Sequence, residues 1–156
     1  MSASKIEKSS IVINKNLTET RSFSAKDRAS LQKIYLESRK STFHWMDHSL
    51  FKTSDFELDT DGECILVATI ENNPVGFISA WEPDNFIHHL FVHPSYIGKG
   101  AGSTLLHACL RNIGRPAKLK CLDKNIGAKD FYLSKGWEIV SQGEGPDGKY
   151  LLLQFD

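Results

Sequence analysis

Apolar residues along this chain follow two spacings, every second residue or every third and fourth, and the switches between them mark out its elements. Glu19 to Ser24 reads as a first strand, and Ser24 with Asp27 three residues on is a capping signal for a helix. In that helix Ala29, Leu31, Ile34, Tyr35 and Ser38 recur at helical spacing, which carries it to about Lys40. Between Thr42 and Phe56 the aromatic Phe43, Trp45 and Phe51 are interleaved with His44, Asp47 and His48, predicting a second, shorter helix packed as a lid. A hairpin follows, with Cys64 to Ile70 and Val75 to Trp81 joined by a turn at Asn72-Asn73-Pro74. After a turn at Pro83-Asp84, Phe86 to Val92 is a third strand, completing an antiparallel meander.

Past Pro94 the spacing becomes helical, and Ala101, Leu105, Leu106, Cys109 and Leu110 mark the buried face of a helix reaching about Asn112, with Gly114 as its stop. Leu119 to Leu122 is a short strand and Ala128 to Lys135 a helix closed by Gly136. Trp137 to Ser141 and Tyr150 to Phe155 pair around Gly145-Pro146-Asp147-Gly148. The order is mixed α/β, with a strand, a turn and a helix at its middle. Residues 1–17, rich in Ser and Lys, read as a flexible arm, in which Ile11-Val12-Ile13 is a candidate short strand. Residues 18–156 read as one domain, since 156 residues with 40% hydrophobic content suffice for a single core.

Charge narrows the partners. Nineteen basic and nineteen acidic residues cancel, which argues against a nucleic-acid or membrane-surface partner and for a small or locally recognised one. Cys64, Cys109 and Cys121 form no CxxC pair and read as reduced, buried thiols. Met1 to Lys15 lacks the apolar core of a secretory signal, and no run reaches the ~18 apolar residues of a membrane span. The expectation is a cytoplasmic protein, monomer or homodimer.

The candidate chemistry begins at Leu90-Phe91-Val92-His93-Pro94-Ser95-Tyr96-Ile97-Gly98-Lys99-Gly100-Ala101-Gly102-Ser103, a strand, a glycine-rich turn and a helix start. Glycines let backbone approach an anion, and the free N–H groups of a first helical turn aim partial positive charge at it. Lys99 adds a screened charge at the rim. The spacing is neither a P-loop, which needs Ser or Thr after Gly98-Lys99, nor a dinucleotide fingerprint, whose third glycine would stand where Ser103 does.

Ile97-Gly98-Lys99-Gly100-Ala101-Gly102 resembles the pyrophosphate loop Q/R-x-x-G-x-G/A of the GNAT (GCN5-related) N-acetyltransferases, with Ile97 departing from the usual Gln or Arg. Asn125, Ala128, Phe131, Tyr132, Gly136 and Trp137 match the same family's N-x-x-A-x-x-F-Y-x-x-x-G-F/W, so the resemblance spans roughly residues 19–155. It implies an α+β fold, a mostly antiparallel central sheet flanked by about four helices, with a V-shaped opening between the strands at 86–92 and 119–122. It also implies acetyl-CoA as cofactor, its pantetheine pairing with backbone of Leu90, Phe91 and Val92, its pyrophosphate at 97–103, and Asn125 ordering the chain or a water.

Acetyl transfer to an amine needs a neutral nucleophile, a polarised thioester carbonyl and a proton for the departing thiolate. The resemblance implies Tyr132 as proton donor, and a backbone N–H near Val92, where a bulge splays the family's central strands, as the polarising group. Many relatives carry a Glu on the strand before Asn125, but Lys120 and Cys121 stand here, with no carboxylate before Asp123. His88, placed like a histidine of arylalkylamine acetyltransferases, is the favoured base. His89 and water are the alternatives, since strand alternation lets only one of the two histidines face the substrate unless a bulge intervenes. His93 reads as a turn residue.

Substrate contacts are expected from Phe43 and Trp45, with His44, Asp47 and His48 beside them, and from Trp81, Glu82 and Asp84 near His88. The acceptor implied is an amine of a small molecule, the alternatives being a peptide or protein amine, or a non-catalytic acyl-CoA-binding module.

Overall fold

The computed structural model describes residues 17–156. The arm expected over 1–17, with Ile11-Val12-Ile13, lies outside the described residues apart from Leu17. Among the described residues seven strands form one sheet: β1 Thr18–Ser22, β2 Cys64–Ile70, β3 Asn73–Trp81, β4 Phe86–Val92, β5 Ala117–Leu122, β6 Glu138–Gly145 and β7 Gly148–Phe155. Their order is β1-β2-β3-β4-β5-β7-β6, antiparallel throughout except where β4 and β5 run parallel. Four α-helices among the described residues flank it: α1 Arg28–Thr42, α2 Asp55–Asp59, α3 Ala101–Asn112 and α4 Ile126–Ser134.

Alternation along the central strands sends neighbours to opposite faces and so builds two cores. Val67 and Phe77 pack with Leu31, Ile34 and Tyr35 of α1 and Phe56 of α2. Leu66, Ala68 and Ile78 pack on the other face with Leu105, Leu106 and Cys109 of α3 and Tyr132 and Trp137. Cys109 and Cys121 are free and buried, while Cys64 is only half-buried.

Ser24 and Asp27 form the expected capping box, but the first turn, Ala25–Asp27, is 3-10 and the α-helix starts at Arg28. Asp27 accepts a hydrogen bond from the Ser24 N–H at 2.9 Å and a bidentate pair from Arg21 at 2.7 and 2.8 Å. Led by the Arg21 hydrogen bonds, these contacts hold its carboxyl down at about 2.

Three expectations need correction. The helix expected over the aromatic segment 42–56 is a 3-10 turn at His48–Leu50 and the short α2, because Asp47 caps the turn by accepting the Ser49 N–H at 3.0 Å. Gly114 is no left-handed helix stop. Helix α3 ends at an extended Ile113, and Gly114 is small because the Asn85 side chain lies where its Cβ would be, 3.1 Å away. The bulge expected near Val92 falls earlier, within β4 at His88, as described below. No helix among the described residues is long and apolar enough to cross a membrane.

Candidate active site

Strands β4 and β5 pair only at Phe86 with Lys118 and Ile87 with Leu119, and then part. The His93 N–H donates to the Val75 carbonyl at 2.7 Å, so by the alternation of an antiparallel pair the backbone of Phe91 also faces β3. Of the three ladder residues expected, Leu90 and Val92 therefore turn their backbone toward the gap and Phe91 does not. The Val92 carbonyl already accepts the Ser38 hydroxyl at 3.1 Å, which leaves its N–H.

At the open end of the gap the glycine turn bends into α3. Gly98 and Gly100 have φ of +85° and +84°, a left-handed conformation that only glycine adopts cheaply, and no atom lies within 4 Å of where their Cβ would be. Gly100 is the N-cap and has no side chain to offer. The N–H groups of Ala101, Gly102 and Ser103 therefore keep no intrahelical partner, and the first ladder bond is Thr104 N–H to the Gly100 carbonyl at 3.0 Å. The cavity over them measures 320 Å³ and includes Ile97, Tyr96 and Phe131. Tyr96 and Phe131 were not expected there. Gly102 meets the Phe131 ring, 3.7 Å from where its Cβ would be, and Lys99 stands exposed outside the lining.

The two histidines lie together. Ser79 faces His89 and Ala80 faces Ile87 across β3 and β4, so His88 is an extra residue, a bulge. The bulge resets the alternation, and both His88 and His89 line the same two cavities, of 570 and 580 Å³. The His89 ring stands edge-on to Tyr35 at 5.4 Å, with its Nδ1 2.8 Å from the Ser79 hydroxyl. His88 Nδ1 is hydrogen-bonded to Oε2 of Glu63, whose Oε1 lies 3.5 Å from His89 Nδ1. Glu63 is thus the carboxylate in contact with the histidines, and it stands on the side of β4 away from Lys120. Its polar neighbourhood Asp59-Thr60-Asp61-Gly62 reads as a solvated turn, and only the register Cys64 to Ala80 and Ala80 to Ile87 carries it to the histidines.

The first cavity is bordered by Trp81, Asp84, Phe86 and Lys120, and the second by Phe43, Asp47, Phe51, Phe91 and Asp147, with Asp59 shared between them. Trp45 is not in either lining; its ring packs edge-on against Phe43 at 5.6 Å and His44 at 5.2 Å. Asp59, also missed, accepts the Tyr35 hydroxyl at 2.7 Å. The Lys120 ammonium rests over the Tyr150 ring at 4.7 Å. His93 accepts the Ser95 N–H at 3.1 Å, as a turn residue does, and its Nε2 contacts Glu37.

Tyr132, on α4, is 8% exposed and packed against Phe131 and Trp137 at 5.3 and 5.6 Å. Burial first, then the neighbouring Cys121 and Cys109, push its phenol up, so it keeps its proton at neutral pH. Asn125 Oδ1 accepts the Ala128 N–H at 3.2 Å and caps α4.

A family model described as the acetyltransferase (GNAT) family matches residues 28–137. Over 78 residues, 50% of this chain and 48% of the relative, the chain is 36% identical to the uncharacterized N-acetyltransferase YafP of Escherichia coli (strain K12). It thus spans about half the length of the curated relative it matches. Among solved structures, the apo form of YjaB from Escherichia coli superposes with a TM-score of 0.72 at 20% identity, covering 89% of this chain and 97% of that one. The PaiA N-acetyltransferase of Thermoplasma acidophilum, solved in complex with coenzyme A, gives 0.71 at 18% identity, covering 88% and 99%. Likeness at these identities is likeness of fold.

Proposed function

We propose, from the premise that this chain belongs to the acetyltransferase (GNAT) family, that it moves an acetyl group from acetyl-CoA directly to a primary amine of a small molecule. The observation that carries this reading is the parting of β4 from β5 after two residue pairs, with free helix donors at one end and a bulged histidine at the other. The site fits the cofactor. Ala101, Gly102 and Ser103, whose N–H groups have no intrahelical partner, line a cavity of the kind a pyrophosphate fills, and the Leu90 and Val92 backbone offers ladder groups to an amide chain. Acetyl-CoA, when bound, supplies an activated acetyl thioester.

The remaining steps belong to the chain's own residues. His88 accepts the proton of the incoming ammonium, directly or through water, and so keeps the amine nucleophilic. The Val92 N–H is the donor for the developing charge on the acetyl oxygen. Tyr132 holds its proton until the thiolate leaves, and gives it up there.

The lining supports a cationic acceptor of limited size. Asp47, Asp59 and Asp147 border the second cavity, and its one arginine, Arg39, is already paired with Asp55 at 3.0 Å. Leu50, Phe51, Pro146 and Asp147 border the same cavity, whose 580 Å³ suits a small molecule. The test is a panel of small amines and N-terminal peptides incubated with acetyl-CoA, with free thiol as the readout. Thiol release with small amines supports the reading, release with peptides alone replaces the substrate, and release with neither refutes it.

A further inference from the structure

We propose that Glu63 is a positioning residue for His88: its carboxylate accepts the His88 Nδ1 proton and so leaves the His88 Nε2 lone pair free to take the acceptor's proton. This rests on the reading of His88 as base.

Burial makes Glu63 unusual. Its side chain is 3% exposed, and among the described residues no lysine or arginine pairs with it; its ionic partners are His88 and His89. Elsewhere in the chain the buried Asp27 has Arg21 as partner, the ordinary arrangement for a structural carboxylate. Among the described residues nothing donates a hydrogen bond to Oε1 of Glu63, a cost that a purely structural side chain would shed by substitution to an apolar residue.

The tautomer follows from donor and acceptor roles. Burial alone would raise the Glu63 carboxyl, but the neighbouring His89, Ser79 and His88 together outweigh it and hold the carboxyl below its ordinary value. An ionised carboxylate only accepts, so His88 Nδ1 must donate, and a neutral imidazole with a proton on Nδ1 has its lone pair on Nε2. His88 is also the accessible member of the pair, its side chain 42% exposed against 17% for His89. His89 is held by the Ser79 hydroxyl and stacked on Phe91 at 6.3 Å. When His88 becomes an imidazolium, the Glu63 charge stabilises it, as a buried carboxylate does behind a catalytic histidine.

Other charges face the same cavities. They are His89 on β4, Asp59 on α2, Asp84 in the turn before β4 and Lys120 on β5. Across the second cavity lie the Arg39 and Asp55 pair, Asp47 and Asp147. Glu63→Gln leaves all of these in place, so a change in His88 reads Glu63 alone.

The experiment is a long-range proton–nitrogen NMR titration of the labelled full chain, wild type and Glu63→Gln, beside steady-state rates on an accepted amine. Wild-type His88 should carry its proton on Nδ1, and that tautomer should lose its preference in Glu63→Gln. Turnover should fall on the order of tenfold with the acetyl-CoA KM unchanged. In a His88→Ala background Glu63→Gln should cost nothing further. A wild-type His88 protonated on Nε2, a tautomer unchanged in Glu63→Gln, or an additional loss in the double variant overturns the proposal. The expected tautomers in a protein that acetylates no amine would support the positioning while refuting the proposed function, so the two failures are separable.

Discussion

Tyr132→Phe tests the acid half of the mechanism with little disturbance to the fold. The ring is packed at 5.3 Å from Phe131 and 5.6 Å from Trp137, contacts that phenylalanine keeps. Among the described residues no hydrogen bond contributes to the environment of the hydroxyl, so its removal orphans no partner there, and stability should change by under about 0.5 kcal/mol. In a chain of this size that is a Tm change of about 1–2 °C. Turnover should nonetheless fall on the order of 10², the yield of general acid catalysis, equal to about 2.7 kcal/mol of barrier. Because burial raises the phenol above its ordinary ~10, the basic limb of the rate profile below that pH should be unaltered in the variant. Rates measured by thiol release over a range of acetyl-CoA concentrations would show kcat falling with KM unchanged. A folded Tyr132→Phe that turns over like wild type would refute Tyr132 as donor and assign the proton to another group or to water.

The glycine turn, the base and the Arg21–Asp27 pair give further tests. Alanine at both Gly98 and Gly100 should cost roughly 1–2 kcal/mol per site from their positive φ and weaken CoA binding at least about tenfold by calorimetry; unchanged affinity in a folded variant would exclude the turn as the anion site. His88→Ala should slow turnover at neutral pH by about 10–10² and flatten the acidic limb, while His89→Ala, which loses the Ser79 bond and the Tyr35 contact, should mainly lower Tm; the reverse outcome would make His89 the base. Asp27, at about 2 when folded against an ordinary 3.8, contributes stability that is full above pH ~3.8 and lost as pH falls through about 2. Arg21 is partly exposed, so Asp27→Asn should cost about 1–2 kcal/mol at neutral pH and flatten the acid dependence of Tm, and an unshifted Tm would rule that contribution out.

What sequence periodicity revealed and what it concealed divide along one physical line. Val67 and Leu66, or Phe77 and Ile78, alternate between faces because both faces of the sheet are covered, and that alternation is written locally in the chain. The turn at Gly98 and Gly100 was legible for the same reason, since two positive φ angles so close together favour glycine whatever lies elsewhere. The segment 42–56 was misread because its aromatics belong to a cavity wall, and a wall of Phe43, Phe51 and Asp47 obeys the shape of the cavity rather than the period of a helix. The histidines were half legible: their identity marked them, but the bulge that turns both to one side depends on Ser79 pairing with His89 while Ala80 pairs with Ile87, a relation between two strands. Glu63 lies furthest from any local signal, because it reaches His88 only through the registry of three strands. The residues that hold a catalytic group in place are chosen by what the fold brings beside them, which explains why the Gly turn and Tyr132 stood out within motifs of contiguous residues while Glu63, 25 positions from His88, did not.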